Sequence, residues 1–353
     1  MSHTSPIISV DAMGADQGPS IAVEGIEHIL KRRHDSAARF LVHGDEAQLS
    51  PLIEKLSAKA RDRIAVQHTD TEVRMTDKPS EAVRRSRGSS MWNALAAVKA
   101  GDADVVVSAG NTGALMAISK VVLRMKKGVH RPAISASWPT PRGHTVVLDV
   151  GANVECGPSQ LVEFAIMGEA FHRAVHGSTN PTVGLLNVGQ EELKGNDTVR
   201  AAARLIREAA LDLNYHGFVE GDDISLGLTD VVVTDGFSGN IALKTAEGAV
   251  KLVGHWMREA FTSSITAKIG AAFLQMGGLD HLRAKLDPRS INGGVLLGLN
   301  GMVVKSHGGT DGEGFATALG LGIDMAGSHF LTEIEANLDR LKAAEEQSSE
   351  SNS

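Results

Sequence analysis

Short apolar runs alternate with longer amphipathic stretches along most of the chain. The runs are rich in β-branched residues and bounded by Gly, Asp or Asn, which is typical of buried strands. They are Ile7–Val10, Phe40–His43, Ile64–His68, Val105–Ser108, Val146–Val150, Val183–Val188, Val231–Thr234 and Val303–Lys305. The amphipathic stretches repeat apolar residues at helical spacing, and they are Ser20–Lys31, Met91–Lys99, Ala114–Met125, Ser159–Val175, Thr198–Leu211 and Asn240–Phe261. This alternation predicts an α/β fold, an α/β/α sandwich in which helices cover both faces of a mostly parallel sheet.

The chain shows no clear linker and no repeat of fixed period. We therefore predict a single α/β domain over residues 1–344. Residues 345–353 have the low-complexity sequence EEQSSESNS and are predicted to form a disordered, solvated tail.

One predicted helical region, near residues 250–280, has an apolar stripe that can be interpreted in two ways. Ile265, Ile269, Phe273 and Met276 fall on one face at helical spacing. Such a stripe usually packs in a core or a dimer interface. The alternative is an amphipathic segment that contacts a membrane surface, because a hydrophobic stripe alone does not separate the two.

Composition excludes several classes of protein. The net charge of −7 over 353 residues lacks the basic face that nucleic acid requires. A single cysteine, Cys156, cannot form an intrachain disulfide, and no apolar run approaches the ~20 residues of a membrane span. The N-terminal segment lacks the features of a signal peptide, so we expect a cytoplasmic protein.

Three segments have the form of a strand, a polar Gly-rich turn and a helix: Val10–Asp16, Val107–Leu115 and Val233–Ile241. In a parallel sheet such turns gather at the carboxyl ends of the strands, where helix N-termini attract anions. They predict a phosphate site. The candidate residues are Asn111, Thr112, Gly113, Asp235, Gly236, Ser238, Gly239 and Asn240. The alternative is that these turns only cap helices, which is common.

A fourth glycine-flanked segment, Val188–Asn196, carries Lys194, whose charge can neutralise a phosphate or a developing oxyanion. A solvated surface lysine is the ordinary alternative. A basic cluster, Arg84, Arg85 and Arg87, leads into Ser89 and Ser90. The arginines offer a docking patch for an acidic partner, or they form an ordinary solvated face.

The sequence lacks the motifs of several other common enzyme chemistries. The chain contains no P-loop, no complete G-x-G-x-x-G and no H-E-x-x-H. Ser238 does not stand in a G-x-S-x-G elbow, and the 14 histidines, His307 among them, lack metal-ligand spacing. We therefore expect no metal and no cofactor.

Taken together, the segments resemble the phosphate acyltransferase family that converts acyl-ACP and inorganic phosphate into acyl phosphate and free acyl carrier protein. The stretches that carry the resemblance run in family order: VDAMGAD, PSEAVRRSRGSSM, VVSAGNTGALMA, RPAISA, LDVGANVEC, VGLLNVGQEELKGND, VTDGFSGNIALKTAEG, LLGLNG and KSHG. Two positions depart from the family pattern. Ala15 replaces a glycine, and Ile291–Val295 replaces a Tyr-Gly-Gly-Ala-Pro-like run.

The resemblance implies a fold similar to phosphate acetyltransferases and, more distantly, to isocitrate and isopropylmalate dehydrogenases. It also implies a homodimer, peripheral contact with the inner face of the membrane, and transfer of acyl phosphate to a membrane glycerol-phosphate acyltransferase. On this basis we expect Lys194 and Asn240 to stabilise charge in the reaction, and Asp235 to orient Lys194 or manage a phosphate proton. Phosphate and the pantetheine end would contact Ser89, Ser90, Asn111, Thr112, Gly113, Gly236, Ser238, Gly239 and His307.

Three rival functions remain open on sequence grounds. A phosphate acetyl- or butyryltransferase acting on coenzyme A needs the same phosphate loops. An isopropylmalate-type dehydrogenase has a similar opening strand and helix, but its D-x-x-x-D metal set is not found. A non-enzymatic membrane scaffold is supported by the apolar stripe alone.

Overall fold

The computed structural model describes residues 5–209, 211–267, 292–328 and 330–351. The first half contains β1 (Ile7–Asp11), α1 (Ser20–Arg32), β2 (Arg39–Gly44), α2 (Glu46–Ile53), α3 (Ala58–Arg61), β3 (Ile64–His68), α4 (Pro79–Arg85), α5 (Ser90–Ala100), β4 (Val105–Ser108), α6 (Thr112–Val122), β5 (Ala133–Thr140) and β6 (Gly143–Leu148). The second half contains α7 (Pro158–His176), β7 (Thr182–Leu186), α8 (Asp197–Glu208), β8 (Asn214–Val219), α9 (Gly221–Leu226), β9 (Val231–Val233), α10 (Gly236–Thr262), β10 (Gly294–Leu297), β11 (Met302–Lys305), α11 (Gly312–Ala326), α12 (Phe330–Glu333) and α13 (Glu335–Ser351).

The described strands form one 11-stranded sheet in the order β3-β2-β1-β4-β11-β10-β5-β6-β9-β7-β8. Strands β3, β2, β1, β4 and β11 run parallel to one another, as do β6, β9, β7 and β8. Between these groups, β11–β10, β10–β5 and β5–β6 pair antiparallel. Three reversals of direction leave the two parallel groups pointing opposite ways.

Alternating residues of the central strands feed two hydrophobic cores, one on each face of the sheet. Val105 and Val107 face the core formed with α1, α7 and α11, whereas Val106 faces the core formed with α5 and α6. Helices α1 and α11 approach closely at Gly25, where an added Cβ would lie 2.7 Å from Phe315 Cδ1. Strands buried on both faces explain why the sequence runs are continuously apolar.

The sequence predictions of fold class and elements are largely confirmed. All eight predicted strands and all six predicted helices are present, with boundaries shifted by a few residues. Strands β5, β8 and β10 were not predicted, because their sequences contain Pro139, Gly217 or a Gly-Gly start that weaken the strand pattern. At the C-terminus, α13 continues to Ser351, since the run KAAEEQ consists of helix-favouring residues. No described helix combines the length and apolar character that crossing a bilayer requires.

Two histidines, His43 fully buried and His176 partly buried, make the fold sensitive to acid. His43 is fully buried and bonds Ser9 Oγ through Nε2 at 2.9 Å, and burial lowers its pKa to about 4. His176 stacks on His144, with ring centroids 4.7 Å apart, and lies 4.8 Å from the ring of His172. Burial and then the two neighbouring imidazoles lower the pKa of His176 to about 4.

We expect the unfolding free energy to fall as pH drops from about 6.5 to about 4. Between these values the unfolded chain binds protons that His43 and His176 do not bind in the folded protein, so acid favours the unfolded state. Thermal unfolding midpoints at pH 7.5, 6.0, 5.0 and 4.5 measure the effect. The variant His176→Gln should show a shallower dependence, and an equally steep one would show that His176 does not contribute.

Candidate active site

Four helices begin at the edge of the sheet where β6, β9, β7 and β8 end, which we call the β9 edge. Each of these parallel strands leads into the helix that follows it, α7, α10, α8 and α9 respectively. Asp235 caps α10 by accepting the Ser238 backbone N–H at 2.8 Å and its hydroxyl at 3.0 Å. Asn196 caps α8 by accepting the Val199 N–H at 2.8 Å. Four helix N-termini therefore bring positive potential to one place.

A cleft of about 650 Å³ opens among these helix N-termini. Leu161 of α7, Leu185 of β7 and Val233 of β9 are almost fully buried and form its floor. The complete lining is Leu161, Leu185, Leu186, Asn187, Val188, Gly195, Asn196, Val199, Gly221, Val233, Thr234, Asp235 and Ser238. A cavity of this size, apolar within and with a few polar groups, is typical of a small-molecule site.

Lys194 lies on an exposed loop that borders this cleft. Its ammonium pairs with Glu191 at 2.8 Å, and this hydrogen bond raises the pKa of Lys194. Asn187 at the end of β7 fixes the loop by donating to the carbonyls of Gly189 and Lys194 at 3.0 and 3.1 Å. The lysine is therefore charged and exposed, and its neighbour Gly195 lines the cleft.

Asp149 organises the loop after β6 and was missed by the sequence analysis. It is fully buried and accepts hydrogen bonds from the backbone of Gly151 and Asn153, at 3.2 and 2.6 Å. Asn240 in α10 donates its side-chain amide to Val150 O at 3.2 Å, which ties this loop to the start of α10. The sequence did contain a signal for Asp149, since this aspartate lies within the apolar run that predicts β6, in LDVGAN.

Cys156 lies on the same loop but is a poor nucleophile. Burial, with the nearby Asp149 carboxylate, raises the pKa of its thiol to about 11. The thiol therefore stays protonated near neutral pH, and thiolate chemistry is not available to it.

A second group of loops meets where β1, β4 and β11 end, which we call the β1 edge. Asp11, almost fully buried, accepts the hydroxyls of Ser90 and Ser108 at 2.6 and 2.7 Å. Burial raises the pKa of Asp11, although these two hydrogen bonds act against that shift. Burial also lowers the pKa of Lys305 to about 8. Neither Asp11 nor Lys305 was among the candidates, because no motif rule marks a single charge at a strand end.

The remaining β1-edge candidates serve mainly as helix caps and loop anchors. Ser89 caps α5 through the Trp92 N–H at 3.2 Å. Asn111 caps α6 through the Ala114 N–H at 3.0 Å, and its amide donates to the carbonyl of Met75 at 2.7 Å. The backbone N–H of His307 donates to the Asn292 side chain at 2.9 Å.

The structure does not gather the three glycine-rich turns as the sequence analysis expected. The turn with Asn111, Thr112 and Gly113 follows β4, whereas the turn with Gly236 and Gly239 follows β9. Since the two strand groups run in opposite directions, the turns lie at opposite edges of the sheet. Five strand-to-strand steps, about 24 Å along the sheet, also separate β4 from β9. One phosphate ion is too small to contact both turns.

The proposed docking and membrane residues are only partly described. Arg84, Arg85 and Arg87 are exposed on the segment that leads into Ser89, and the Arg87 guanidinium lies 5.8 Å from the Trp92 ring. Ile265, just beyond α10, is 78 % exposed. The other three members of the stripe, Ile269, Phe273 and Met276, lie outside the described residues.

The fold has solved counterparts. A phosphotransacetylase from Streptococcus pyogenes superposes with a TM-score of 0.60 at 16% identity, covering 91% of this chain and 94% of that one. A 4-hydroxythreonine-4-phosphate dehydrogenase from Klebsiella pneumoniae gives a TM-score of 0.53 at 15% identity, covering 91% and 99%. These likenesses concern the fold alone, and they confirm the expected similarity to phosphate acetyltransferases and to dehydrogenases.

Comparison of sequences finds relatives at much higher identity than these structural neighbours. A phosphate acyltransferase from Maricaulis maris (strain MCS10) is 67% identical over 342 residues, covering 97% of each chain. The profile of the family described as fatty acid synthesis protein matches residues 7–333. The chain therefore belongs to the fatty acid synthesis protein family, and it is an enzyme of the phosphate acyltransferase kind.

Proposed function

We propose that the enzyme transfers a long-chain fatty acyl group from acyl carrier protein to inorganic phosphate, an early step of glycerophospholipid synthesis. A phosphate oxygen bonds to the thioester carbonyl carbon, the carbon–sulfur bond breaks, and the products are acyl phosphate and the carrier thiol. The family's description and its relatives' name support the acyl and phosphate halves of this reaction.

The observation that carries the proposal is the combination of apolar floor and polar mouth in the β9-edge cleft. Above the buried floor of Leu161, Leu185 and Val233, the more accessible Leu186, Val188 and Val199 add apolar surface for a hydrocarbon chain. Residues from the starts of four helices complete the lining, together with Gly195, the neighbour of Lys194. An acyl phosphate has two matching parts, a long apolar chain and an anionic head group.

The mechanism needs orientation and charge stabilisation more than a protein nucleophile. Phosphate is itself nucleophilic at neutral pH, so the protein has only to hold it against the carbonyl carbon. We assign the N-terminus of α10 and the Lys194 ammonium to phosphate, and Asn240 to the carbonyl oxygen that gains charge. Asp235, which caps α10, orients Ser238 and the Gly236–Gly239 turn toward the same ion, or receives a phosphate proton.

Replacing Lys194 or Asn240 by alanine should lower turnover by about 10²-fold or more, because each removes a donor that the proposal assigns to developing charge. The measurement is acyl hydroxamate formed when hydroxylamine traps the product from palmitoyl-ACP and phosphate. Phosphate is omitted as one control, and acetyl-CoA replaces palmitoyl-ACP to test the rival transferase.

The matched control variant is Lys244→Ala, which removes an exposed lysine of α10 paired with Glu247. It should keep near-parental turnover. Folded Lys194→Ala and Asn240→Ala proteins with turnover equal to that control would refute the assignment. Product from acetyl-CoA but not from palmitoyl-ACP would refute the long-chain substrate.

We assign the β1-edge candidates to the carrier end of the substrate rather than to the reacting phosphate. Ser89 and Ser90 follow the exposed arginines after Gly88. Asn111, Thr112 and Gly113 stand at the start of α6, and His307 follows β11 at the same edge. The guanidinium groups of Arg84, Arg85 and Arg87 attract an acidic carrier surface, despite the net charge of −7.

Reversing the charge of the three arginines together, by Arg84→Glu, Arg85→Glu and Arg87→Glu, should raise KM for palmitoyl-ACP by about tenfold and reduce its salt dependence. The physical reason is loss of attraction between the docking surfaces, which acts on encounter more than on the chemical step. Steady-state kinetics at low and high salt measure both effects. Lys99→Glu, an exposed reversal at the far end of α5, is the control, and equal KM values in the two proteins would contradict the docking role.

The exposure of helix α10 supports the proposal that the protein is a homodimer. Over its 27 residues only Gly236 and Gly239 are buried, and its exposed side chains include Leu252, Val253 and Trp256. A long helix with an exposed apolar face has its natural partner in a second copy of the same helix. We propose that α10 forms the dimer interface.

Ile265 supports contact with a membrane. It lies three residues beyond the end of α10 and is itself exposed, so it offers an apolar side chain to a surface outside the proposed interface. We propose that this region touches the inner face of the cytoplasmic membrane, where a membrane glycerol-phosphate acyltransferase receives the acyl phosphate. Delivery at the membrane suits a product with a long apolar chain.

Two variants separate the interface from the membrane contact. Trp256→Glu should give a monomeric mass in analytical ultracentrifugation, because it places a charge in an apolar interface. Ile265→Asp should keep the dimeric mass but weaken flotation with anionic phospholipid vesicles. A dimeric Trp256→Glu protein, or unchanged flotation of Ile265→Asp, would refute the corresponding assignment.

A further inference from the structure

We infer that Asp149 is a positioning residue of the active site, which fixes the Val150 carbonyl so that this carbonyl orients the side-chain amide of Asn240. The inference rests on the proposed function, in which Asn240 donates to the thioester carbonyl oxygen as that oxygen gains charge. It names the buried group on which the orientation of Asn240 depends.

The Asp149 carboxylate binds the backbone of the loop that follows β6. It is fully buried, and its Oδ1 accepts the N–H groups of Ile134, Gly151 and Ala152 at 3.0, 3.2 and 3.0 Å. Its Oδ2 accepts the backbone N–H and the side-chain amide of Asn153 at 2.6 and 2.9 Å. These five hydrogen bonds fix the path of the loop, because bonds to a carboxylate are stronger than bonds between neutral groups.

The fixed loop presents the Val150 carbonyl to Asn240. The Val150 N–H donates to Ile134 O at 2.9 Å, and Asn240 Nδ2 donates to Val150 O at 3.2 Å. Gly151 makes room for this amide, since an added Cβ would lie 2.9 Å from Asn240 Nδ2. An asparagine amide has two N–H donors. Because Asn240 is exposed, the bond to Val150 holds one donor and leaves the other for a substrate.

The start of α10 packs on the same loop. The Gly236 N–H donates to Asn153 O at 2.7 Å. Gly239 allows close approach, because an added Cβ there would lie 2.0 Å from Asp149 O. The loop that Asp149 fixes therefore contacts both the backbone that carries Asn240 and the side-chain amide itself. A small shift of this loop would move the donor away from the reacting oxygen.

The experiment is a double-mutant cycle between Asp149 and Asn240. It measures kcat and KM for palmitoyl-ACP in the full-length enzyme, with phosphate saturating and acyl phosphate trapped as hydroxamate. Asp149→Asn places an NH₂ group against backbone N–H donors, so the loop loses its anchor.

In the parental enzyme, Asp149→Asn should lower kcat by roughly tenfold or more and change KM by less than about twofold, because a misplaced donor acts on the transition state. In the Asn240→Ala background the same substitution should lower kcat by less than about twofold, because the donor is already absent. Equal losses of kcat in the two backgrounds, with all variants folded, would overturn the inference, since a purely structural role does not act through Asn240.

The matched control is Asp230→Asn. Asp230 accepts the Thr182 N–H and hydroxyl at 2.7 and 2.8 Å, at the opposite ends of β7 and β9 from the cleft. This variant should keep the parental kcat in both backgrounds. A loss as large as that of Asp149→Asn would overturn the inference, because any carboxylate that anchors these strands would then have the same effect.

A milder variant, Asn153→Ala, covers the case in which Asp149→Asn does not fold. It removes one donor from Asp149 Oδ2 and keeps the carboxylate with its backbone partners. It should lower kcat by a smaller factor than Asp149→Asn, and the loss should again disappear in the Asn240→Ala background. Parental kcat in folded Asn153→Ala would overturn the inference.

A crystal structure of the Asp149→Asn or Asn153→Ala protein gives a result that does not depend on turnover. The Asn240 amide should no longer lie within hydrogen-bond distance of Val150 O. An amide that keeps this bond would overturn the inference, even if the parental enzyme is active. If the parental enzyme forms no acyl phosphate from palmitoyl-ACP, the proposed function fails, and this structure still decides whether Asp149 positions Asn240.

Discussion

The reversal of strand direction in the middle of the sheet is the constraint on which the rest of the structure depends. Strands β10 and β5 each pair antiparallel with both neighbours, so the strand groups on either side point opposite ways. The strand-to-helix turns are therefore divided between two edges. At the β9 edge, four turns place four helix N-termini around one cleft, and that concentration of N–H groups and dipoles does not occur in a single βαβ unit.

The sequence was informative about elements and much less about their assembly. Strands such as Val105–Ser108 are buried on both faces, so their apolar runs were recognisable, and the capping residues Asn111 and Asp235 stood where helices begin. The separation of the turns was not predictable, because it depends on β5 and β10, whose glycine, proline and small residues hide the strand pattern. Spatial proximity between turns is a property of strand direction, and no local motif encodes it.

The candidate residues illustrate the same limit. Lys194 was found through the composition of its loop, and the structure places that loop beside the cleft because Asn187 hydrogen-bonds its backbone. Asp11 and Lys305 were not found, since their importance comes from burial at neighbouring strand ends. A buried carboxylate that accepts two serine hydroxyls joins β1, β4 and α5 into one unit, and removing one partner would leave the others unsatisfied.

The structure of the β9-edge cleft also bears on a chemical problem of the proposed reaction, which is hydrolysis of its product. In the reaction that we propose, the product is an acyl phosphate, which is readily hydrolysed, so the protein would have to hold charge and exclude water at the same place. If the β9-edge cleft is the site, its helix N-termini would attract phosphate through backbone N–H groups, and Lys194 would add its charge from outside the apolar interior. An apolar floor beneath them would lower the local dielectric, which strengthens hydrogen bonds to the reacting oxygens. A site built mainly from lysine and arginine side chains would attract phosphate equally well, but their hydration would bring water to the bond that must be preserved.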